Sequence, residues 1–492
     1  MAVRLYAPKR PGASAGGKAN RVRATRRVLA GVTPGKLWPW AVVALWLLAL
    51  GPVFAAATGP GRGLVDFRSY QLPAAALLRG ESPYVTPAAA LAVWRAFHDA
   101  EAALLAASAG GQGAEQLRAL AGQPLLPGPY VYPPTLALLV AQLHPTDRVF
   151  AVVLGLAIVG FAWLWLRSTG AAAAWLLLVI GSWDVLASWT GGNVEHLLLF
   201  ATLLAALLLW TRQGFFASLP IAFVLLIKPY YALFFAAFVL LQLRGAPPAA
   251  RRAVLRTHLA AAFGALLLIA LEVERWGPRL RAEALDYLRT ATERLWLVLP
   301  VAGQTPMSAW NRTPLQALIV FGLPPRLAEG LALALWVVLL GVTLWRVSPA
   351  RLTWARAWAL ALVLLYLGRP VGWGLIYLDL IVLTTLWSRL ATGPRLALLA
   401  AAVALQASHW AALALTAQGR GLPLLTLQSA ALPWETVLVL PLCWALLLFD
   451  AARPPAGAGT ARPVPAPRSG GPGRPPGPGS PGRTATMLPA DG

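Results

Sequence analysis

Apolar runs of membrane-span length follow one another along most of this chain, and they restrict its fold more than any other feature. WPWAVVALWLLALGPVFAAA (38–57) and VFAVVLGLAIVGFAWLWL (149–166) contain no charged residue. A bilayer core is crossed by about 20 such residues in helical conformation, with a range of ~17–25. Runs of this kind recur at 171–188, 194–211, 214–227, 229–243, 257–273, 327–345, 353–369, 371–388, 396–416 and 432–449, twelve in all. With 58% hydrophobic and 12% charged residues, the chain holds far more apolar surface than a soluble core can bury. An all-α polytopic membrane protein is the expected fold class.

Two further pieces are too short to count as spans. Residues 131–145 (VYPPTLALLVAQLHP) have prolines at both ends, and 313–323 (TPLQALIVFGL) are shorter still. Both read as re-entrant or interface helices, which are allowed where protein covers their free backbone groups.

Basic residues set the orientation. With the amino terminus inside and twelve alternating spans, the inner loops hold Arg167, Arg212, the group Arg244, Arg251, Arg252 and Arg256, then Arg346 and Arg351, then Arg389 and Arg395, and no acid. Two long loops, 58–148 and 274–326, fall outside; the core of the first, 59–130, has five arginines and five acids. Counting 131–145 as a span would move the later arginine groups outside, against the positive-inside rule. The tails 1–37 and 451–492 carry +13 of the formal +23. Flanking spans in this way, they need no nucleic acid to explain them. The first run is longer than a signal peptide's core of about 7–15 residues, so 38–57 reads as an uncleaved helix. The expected organisation is a basic cytoplasmic tail (1–37), a transmembrane domain (38–450) and a Pro/Gly-rich cytoplasmic tail (451–492) whose composition cannot form a packed core. The lone Cys443 supplies no disulfide framework and no Cys-based metal site.

This threading also sorts the polar interruptions. DFRSY (66–70), YVYPP (130–134), TGGNVEH (190–196), IKPYY (227–231), GQTPMSAWNRT (303–313) and GRPVGW (368–373) all fall at outer helix ends or in outer loops. Such convergence predicts an outward-facing polar cavity.

The order of these stretches resembles glycosyltransferase family 87, membrane enzymes of the GT-C superfamily typified by mannosyltransferases using polyprenyl-phosphate-linked mannose. Asp66-Phe67 leads an Ala/Leu helix, then Gly80-Glu81-Ser82-Pro83-Tyr84 and Tyr130-Val131-Tyr132-Pro133-Pro134. TGGNVEHLLLF is similar to the family's Gly-Gln-x-Asn helix start, LLIKPYYALFF to its Lys-x-Tyr-Pro segment, WNRTPLQAL to its Asn-Gln-Ser-Leu stretch and GRPVGW to its Ser-Pro-x-Ser-Trp motif. The likeness covers roughly 38–390. It departs at Gly192, where the family has Gln, and at Arg312-Thr313, where it has Gln-Ser. It departs again at Arg369-Pro370-Val371-Gly372-Trp373, after which the usual His is absent. The resemblance implies a GT-C-like fold and an inverting transfer of a sugar, mannose by default, from a polyprenyl phosphate to an extracytoplasmic glycolipid or glycan. The partners implied are that donor, that acceptor and the bilayer, with no nucleic acid. A transporter or flippase for lipid-linked sugars is the alternative.

Such transfer requires a base for the acceptor hydroxyl and cations for the leaving phosphate. The resemblance casts the first-loop acid Asp66 as base; otherwise it is a solvated acid or a partner of Arg68. Lys228, set in an apolar run beside the helix-breaking Pro229, suits phosphate binding, snorkelling or an internal ion pair. Arg369 follows the same logic, and Arg68 is a third candidate for the phosphate. Arg312, Arg289 and Arg294 are weaker ones. Asn193 can cap a helix whose Glu195 and His196 point into the cavity, or all three can serve as caps and headgroup contacts. Tyr132 and Trp373 can stack on sugar, as can Tyr70, Tyr84 and Tyr130 less favourably, although aromatic anchoring at the interface is the more ordinary explanation in a chain with 22 Trp and 10 Tyr. Asn311 joins the substrate set through the resemblance. Asp379, placed inside 371–388, reads as a functional acid or as one paired with a neighbouring helix. No cofactor and no tight metal are expected, which leaves a loosely held Mg²⁺ open.

Overall fold

A computed structural model describes residues 65–84, 132–298, 313–320, 322–370, 375–417 and 438–452, together with Ala44. The rest of the first run (38–57), both tails apart from the start of the second, Tyr130, Asn311, Arg312 and Trp373 lie outside the described residues, as do the side chains of Arg68, Arg289 and Arg294.

Every regular element among the described residues is helical. In chain order they are α1 (Val65–Leu78), α2 (Pro134–Leu143), α3 (Asp147–Thr169), α4 (Leu176–Gly181), α5 (Trp183–Gly191), α6 (Glu195–Trp210), α7 (Gly214–Ile227) and α8 (Ala232–Gly245). There follow α9 (Pro248–Arg275), α10 (Gly277–Val298), α11 (Pro314–Val320), α12 (Pro325–Arg346), α13 (Trp354–Gly368), α14 (Leu378–Leu386), α15 (Thr392–Ala417) and α16 (Leu440–Ala452). Three of these, α3, α9 and α12, are long and apolar enough to cross a membrane, and six shorter apolar helices accompany them. Phe215, Phe216, Phe263, Leu266 and Val338 are among many large apolar side chains turned outward. A surface so rich in exposed apolar groups suits lipid far better than water.

The expected run 171–188 is not one helix. A 3₁₀ turn with α4, and then α5, form two pieces bent by 61°. The break sits at Ser182, whose hydroxyl accepts from the amide of Val185 and so starts a new helix. The run 371–388 is likewise shortened: α14 begins at Leu378, and Asp379 lies in its first turn rather than deep inside. The short pieces at 131–145 and 313–323 form the short helices α2 and α11. In α2, Pro134 occupies the first turn, where its missing amide costs nothing. The stretch around Asp66 is helical from Val65, so the acid sits on the first turn of α1 and not in a loop ahead of it.

Within 274–326, the expected outer loop, α10 carries an Arg279–Glu283 pair at 2.9 Å, one helical turn apart. Arg279 also donates to the carbonyl of Gly80 at 2.8 Å, and Tyr84 stacks on Tyr287 with centroids 4.5 Å apart. These contacts fasten α10 to the turn after α1.

α13 is the axis of the core. Its residues from Ala357 to Tyr366 are fully buried, and its length at ~1.5 Å per residue is about 22 Å. Near its start Arg356 pairs with Asp450 of α16 at 2.5 Å; just past its end stands Arg369. That end is held by a close approach at Gly368, where an added Cβ would lie 2.4 Å from the Trp336 ring of α12. α7 is pinned against α9 in the same way, since a Cβ on Gly264 would come within 2.8 Å of the Cβ of Ser218.

Candidate functional site

Five interruptions of the apolar pattern meet at one place: the start of α1, the chain just before α2, the α5–α6 junction, the end of α7 and the end of α13. α5 closes on Gly192, whose φ of +77° is a left-handed conformation that glycine adopts without strain. Asn193 follows, and its Oδ1 accepts the amide of Glu195 at 2.9 Å. This satisfies one free donor at the start of α6 and leaves the amide nitrogen of Asn193 toward Asp66, with which it makes a side-chain hydrogen bond. Gly191 lies beside the same acid: a Cβ there would stand 3.9 Å from Asp66 Oδ2, an ordinary contact.

Glu195 turns the other way, into protein. Lys228, the residue that ends α7 before Pro229, forms an ion pair with its Oε2. The Tyr231 hydroxyl donates to Oε1, and Arg369 Nη1 lies 3.7 Å from the same oxygen. Glu195, Lys228 and Arg369 are exposed by only 3%, 6% and 2%. Two cations therefore converge on one carboxylate where solvent is excluded. The Arg369 guanidinium also stacks over the Tyr366 ring at 4.2 Å, and the Tyr366 hydroxyl donates to the carbonyl of Ile376 at 2.8 Å.

Lys228 bridges the two acids. Its ammonium is 5.6 Å from the centroid of Tyr132 and 5.9 Å from that of Tyr230, and its charge acts on Asp66 as well. Asp66 is half-buried. Desolvation pushes its carboxyl up to about 6, against the opposing pull of Lys228 and the Asn193 hydrogen bond. A carboxylate with that proton affinity changes charge close to neutral pH, as a general base should. Tyr132 and Tyr70 form the wall beside it: their hydroxyls are 3.5 Å apart, their rings meet edge to face, and the amide of Val194 donates to the Tyr70 hydroxyl at 3.4 Å.

The structure thus brings together Asp66, Tyr132, Asn193, Glu195, Lys228 and Arg369. Of the roles that the sequence left open, Lys228 takes the internal ion pair and Asn193 the cap. His196, beside Glu195 on α6, is buried against a different partner. Successive residues on a helix point about 100° apart, and His196 Nδ1 is hydrogen-bonded at 3.0 Å to the Tyr377 hydroxyl. Tyr377 has φ +63°, an uncommon conformation for an aromatic residue, and its ring stacks on Phe161 at 4.1 Å. Asp379 accepts from Gln406 Nε2 of α15 at 3.3 Å, a pairing with a neighbouring helix. Arg68 lies two residues beyond Asp66 on α1.

Tyr231, Tyr366 and Tyr377 belong to this region and were not singled out from the sequence. Tyr231 lies three residues past Lys228, and Tyr366 three before Arg369, so proximity to the two cations was the available signal. Tyr377 had none. No three of His, Cys, Asp and Glu come together as a metal-binding set among the described residues.

Searched against protein-family models, curated proteins and solved structures, the chain has no significant match.

Proposed function

We propose that this chain is a membrane glycosyltransferase of GT-C type that transfers a sugar, mannose by default, from a polyprenyl phosphate to a glycolipid or glycan acceptor. The observation that carries the reading is the placement of Asp66, a desolvated carboxylate with raised proton affinity, in the field of Lys228 and next to the Lys228–Glu195–Arg369 cluster. A base and a pair of cations are the two things this transfer needs side by side.

In the proposed reaction an acceptor hydroxyl attacks the anomeric carbon, and Asp66 takes the hydroxyl proton. The bond from that carbon to the phosphate oxygen breaks with inversion, and the oxygen leaves with its electron pair. Lys228 and Arg369 stabilise the departing polyprenyl phosphate, with Arg68 as a further donor. Tyr132 and Trp373 offer faces for the sugar, and Asn193 orients Asp66. Asn311 joins them through the family resemblance. By the distribution of arginines both termini are cytoplasmic, and the site opens at the extracytoplasmic face of the cell membrane.

The test uses the purified full chain with radiolabelled polyprenyl-phosphate mannose and a lipid acceptor, comparing wild type with Asp66→Asn. Labelled product that needs Asp66 supports the reading; undiminished transfer by the variant removes Asp66 as base. One observation favours the transporter alternative: the helix pair broken at Ser182 is a kind of discontinuity that transporters place at their binding sites. Sugar movement across proteoliposomes without product would select it.

A further inference from the structure

We infer that Glu195 is a resident counter-ion that competes with an anionic ligand for Lys228 and Arg369, so that a phosphate monoester or diester binds by taking over that carboxylate's ion pairs. The inference deepens the functional reading above and rests on it.

The geometry of the cluster is uneven in a telling way. Glu195 is held on one oxygen by Lys228 and on the other by Tyr231, which already pairs its charge. Arg369 is a second cation on the same group, 3.7 Å from Oε1, too far for a hydrogen bond to that oxygen. It comes from a different part of the chain, and its guanidinium is steadied by the Tyr366 ring. Holding one buried carboxylate does not require two cations. Two buried cations without a carboxylate, however, would be costly in a medium of low dielectric. Glu195 thus makes the pair of cations tolerable while no ligand is bound.

The other neighbours of Lys228 show where a ligand would meet it. Its ammonium lies over the rings of Tyr132 and Tyr230, and its charge reaches the half-buried Asp66. An anion arriving from Asp66 would reach Lys228 first and Arg369 behind it. It would also meet the negative charge of Glu195, so it can take over the two cations only as that carboxylate swings away from them. The resident acid therefore lowers affinity for the anion and speeds its release. Tyr231 can keep its hydrogen bond to the displaced carboxylate.

Binding is measured on the purified full chain in nanodiscs, with decaprenyl phosphate and, separately, inorganic phosphate. Glu195→Gln is expected to bind decaprenyl phosphate about fivefold more tightly than wild type or better, the lower end of ordinary site-to-site coupling, and Lys228→Met to lose binding. The same gain with inorganic phosphate shows that the phosphate group alone is recognised; a gain confined to the lipid shows that the prenyl chain is needed as well, and both support the exchange. Unchanged or weaker binding by Glu195→Gln, with Lys228→Met defective, overturns the counter-ion role and leaves the glycosyltransferase reading standing. Wild-type affinity in Lys228→Met overturns that reading itself. Should Glu195→Gln fail to fold, Glu195→Asp serves in its place: it keeps the charge but draws it back by one methylene, and is expected to bind more tightly than wild type. Equal or weaker binding by Glu195→Asp overturns the inference. Arg369→Gln replaces Lys228→Met on the same terms.

Discussion

Lys228 and Glu195, 33 residues apart in sequence, form a buried ion pair where α7 ends and α6 begins. Tyr231 completes the carboxylate's bonding and Arg369 adds a second positive charge. The pair joins the two halves of the candidate site, because Lys228 faces Asp66 on one side and Glu195 on the other.

Breaking this pair from one side is expected to cost more than removing it. Lys228→Met leaves the Glu195 carboxylate with Arg369 at longer range, and loss of one partner of a buried pair costs about 3–5 kcal/mol. The double variant Lys228→Met/Glu195→Gln is expected to recover part of that loss. Thermal unfolding of the four members of the cycle measures it; a double-variant loss equal to the sum of the two single losses would show that the residues do not interact.

Asp66→Asn is expected to abolish transfer while leaving the fold at least as stable at pH 7.5. The carboxyl lies at about 6 rather than the ordinary 3.8, so it binds its proton more tightly folded than unfolded. Its contribution to stability is therefore complete below about pH 4 and is lost as pH rises through about 6. An amide escapes the desolvation penalty that the charged form incurs at neutral pH. Activity runs in the opposite direction: wild-type transfer should rise with pH through an apparent pKa of about 6. A rate that is flat from pH 5 to 8, at saturating substrate, would speak against titration of the base.

Gly368→Ala tests how closely α13 must approach α12. The added Cβ would sit 2.4 Å from Trp336 Cδ1, so the indole or the helix end that leads to Arg369 must move. Such overpacking costs roughly 1–3 kcal/mol. Gly341→Ala, on α12 itself and with nothing within 4 Å of the new Cβ, is the control; its expected effect is neutral to mildly stabilising. Equal melting temperatures for the two variants would show that the contact is soft.

Orientation can be read by cysteine labelling in a Cys443→Ser background. Ala249→Cys, in the arginine-rich segment at the start of α9, should react only from the cytoplasmic side. Ala282→Cys on α10 should react only from outside. Both positions are exposed. Reversed labelling would overturn the arginine-based threading; labelling of both from one side would change the number of crossings between them.

Much of the site could be read from the linear pattern because charge is costly among apolar residues. Lys228, Glu195 and Arg369 stood out as interruptions of long runs, and Gly192-Asn193 as a helix junction, which the positive φ and the Asn193 cap bear out. Pairing could not be read in the same way. Nothing local indicates that Lys228 selects Glu195, that His196 turns to Tyr377, or that Asp379 is met by Gln406 from α15. Helix continuity was legible only in part: an apolar run looks the same whether it is straight or, as at Ser182, bent by 61°.

By itself the sequence determined that the chain is helical and rich in membrane-length apolar segments, since backbone groups without water must be satisfied within a helix. It also determined which polar groups are exceptional. Only the tertiary structure decided which of them meet, because partners on different helices are matched by packing: Gly368 against Trp336 at the end of α13, Gly264 against Ser218 beside α7. Those close approaches bring Arg369 and Lys228 to one carboxylate, and no spacing along the chain encodes the distance between them.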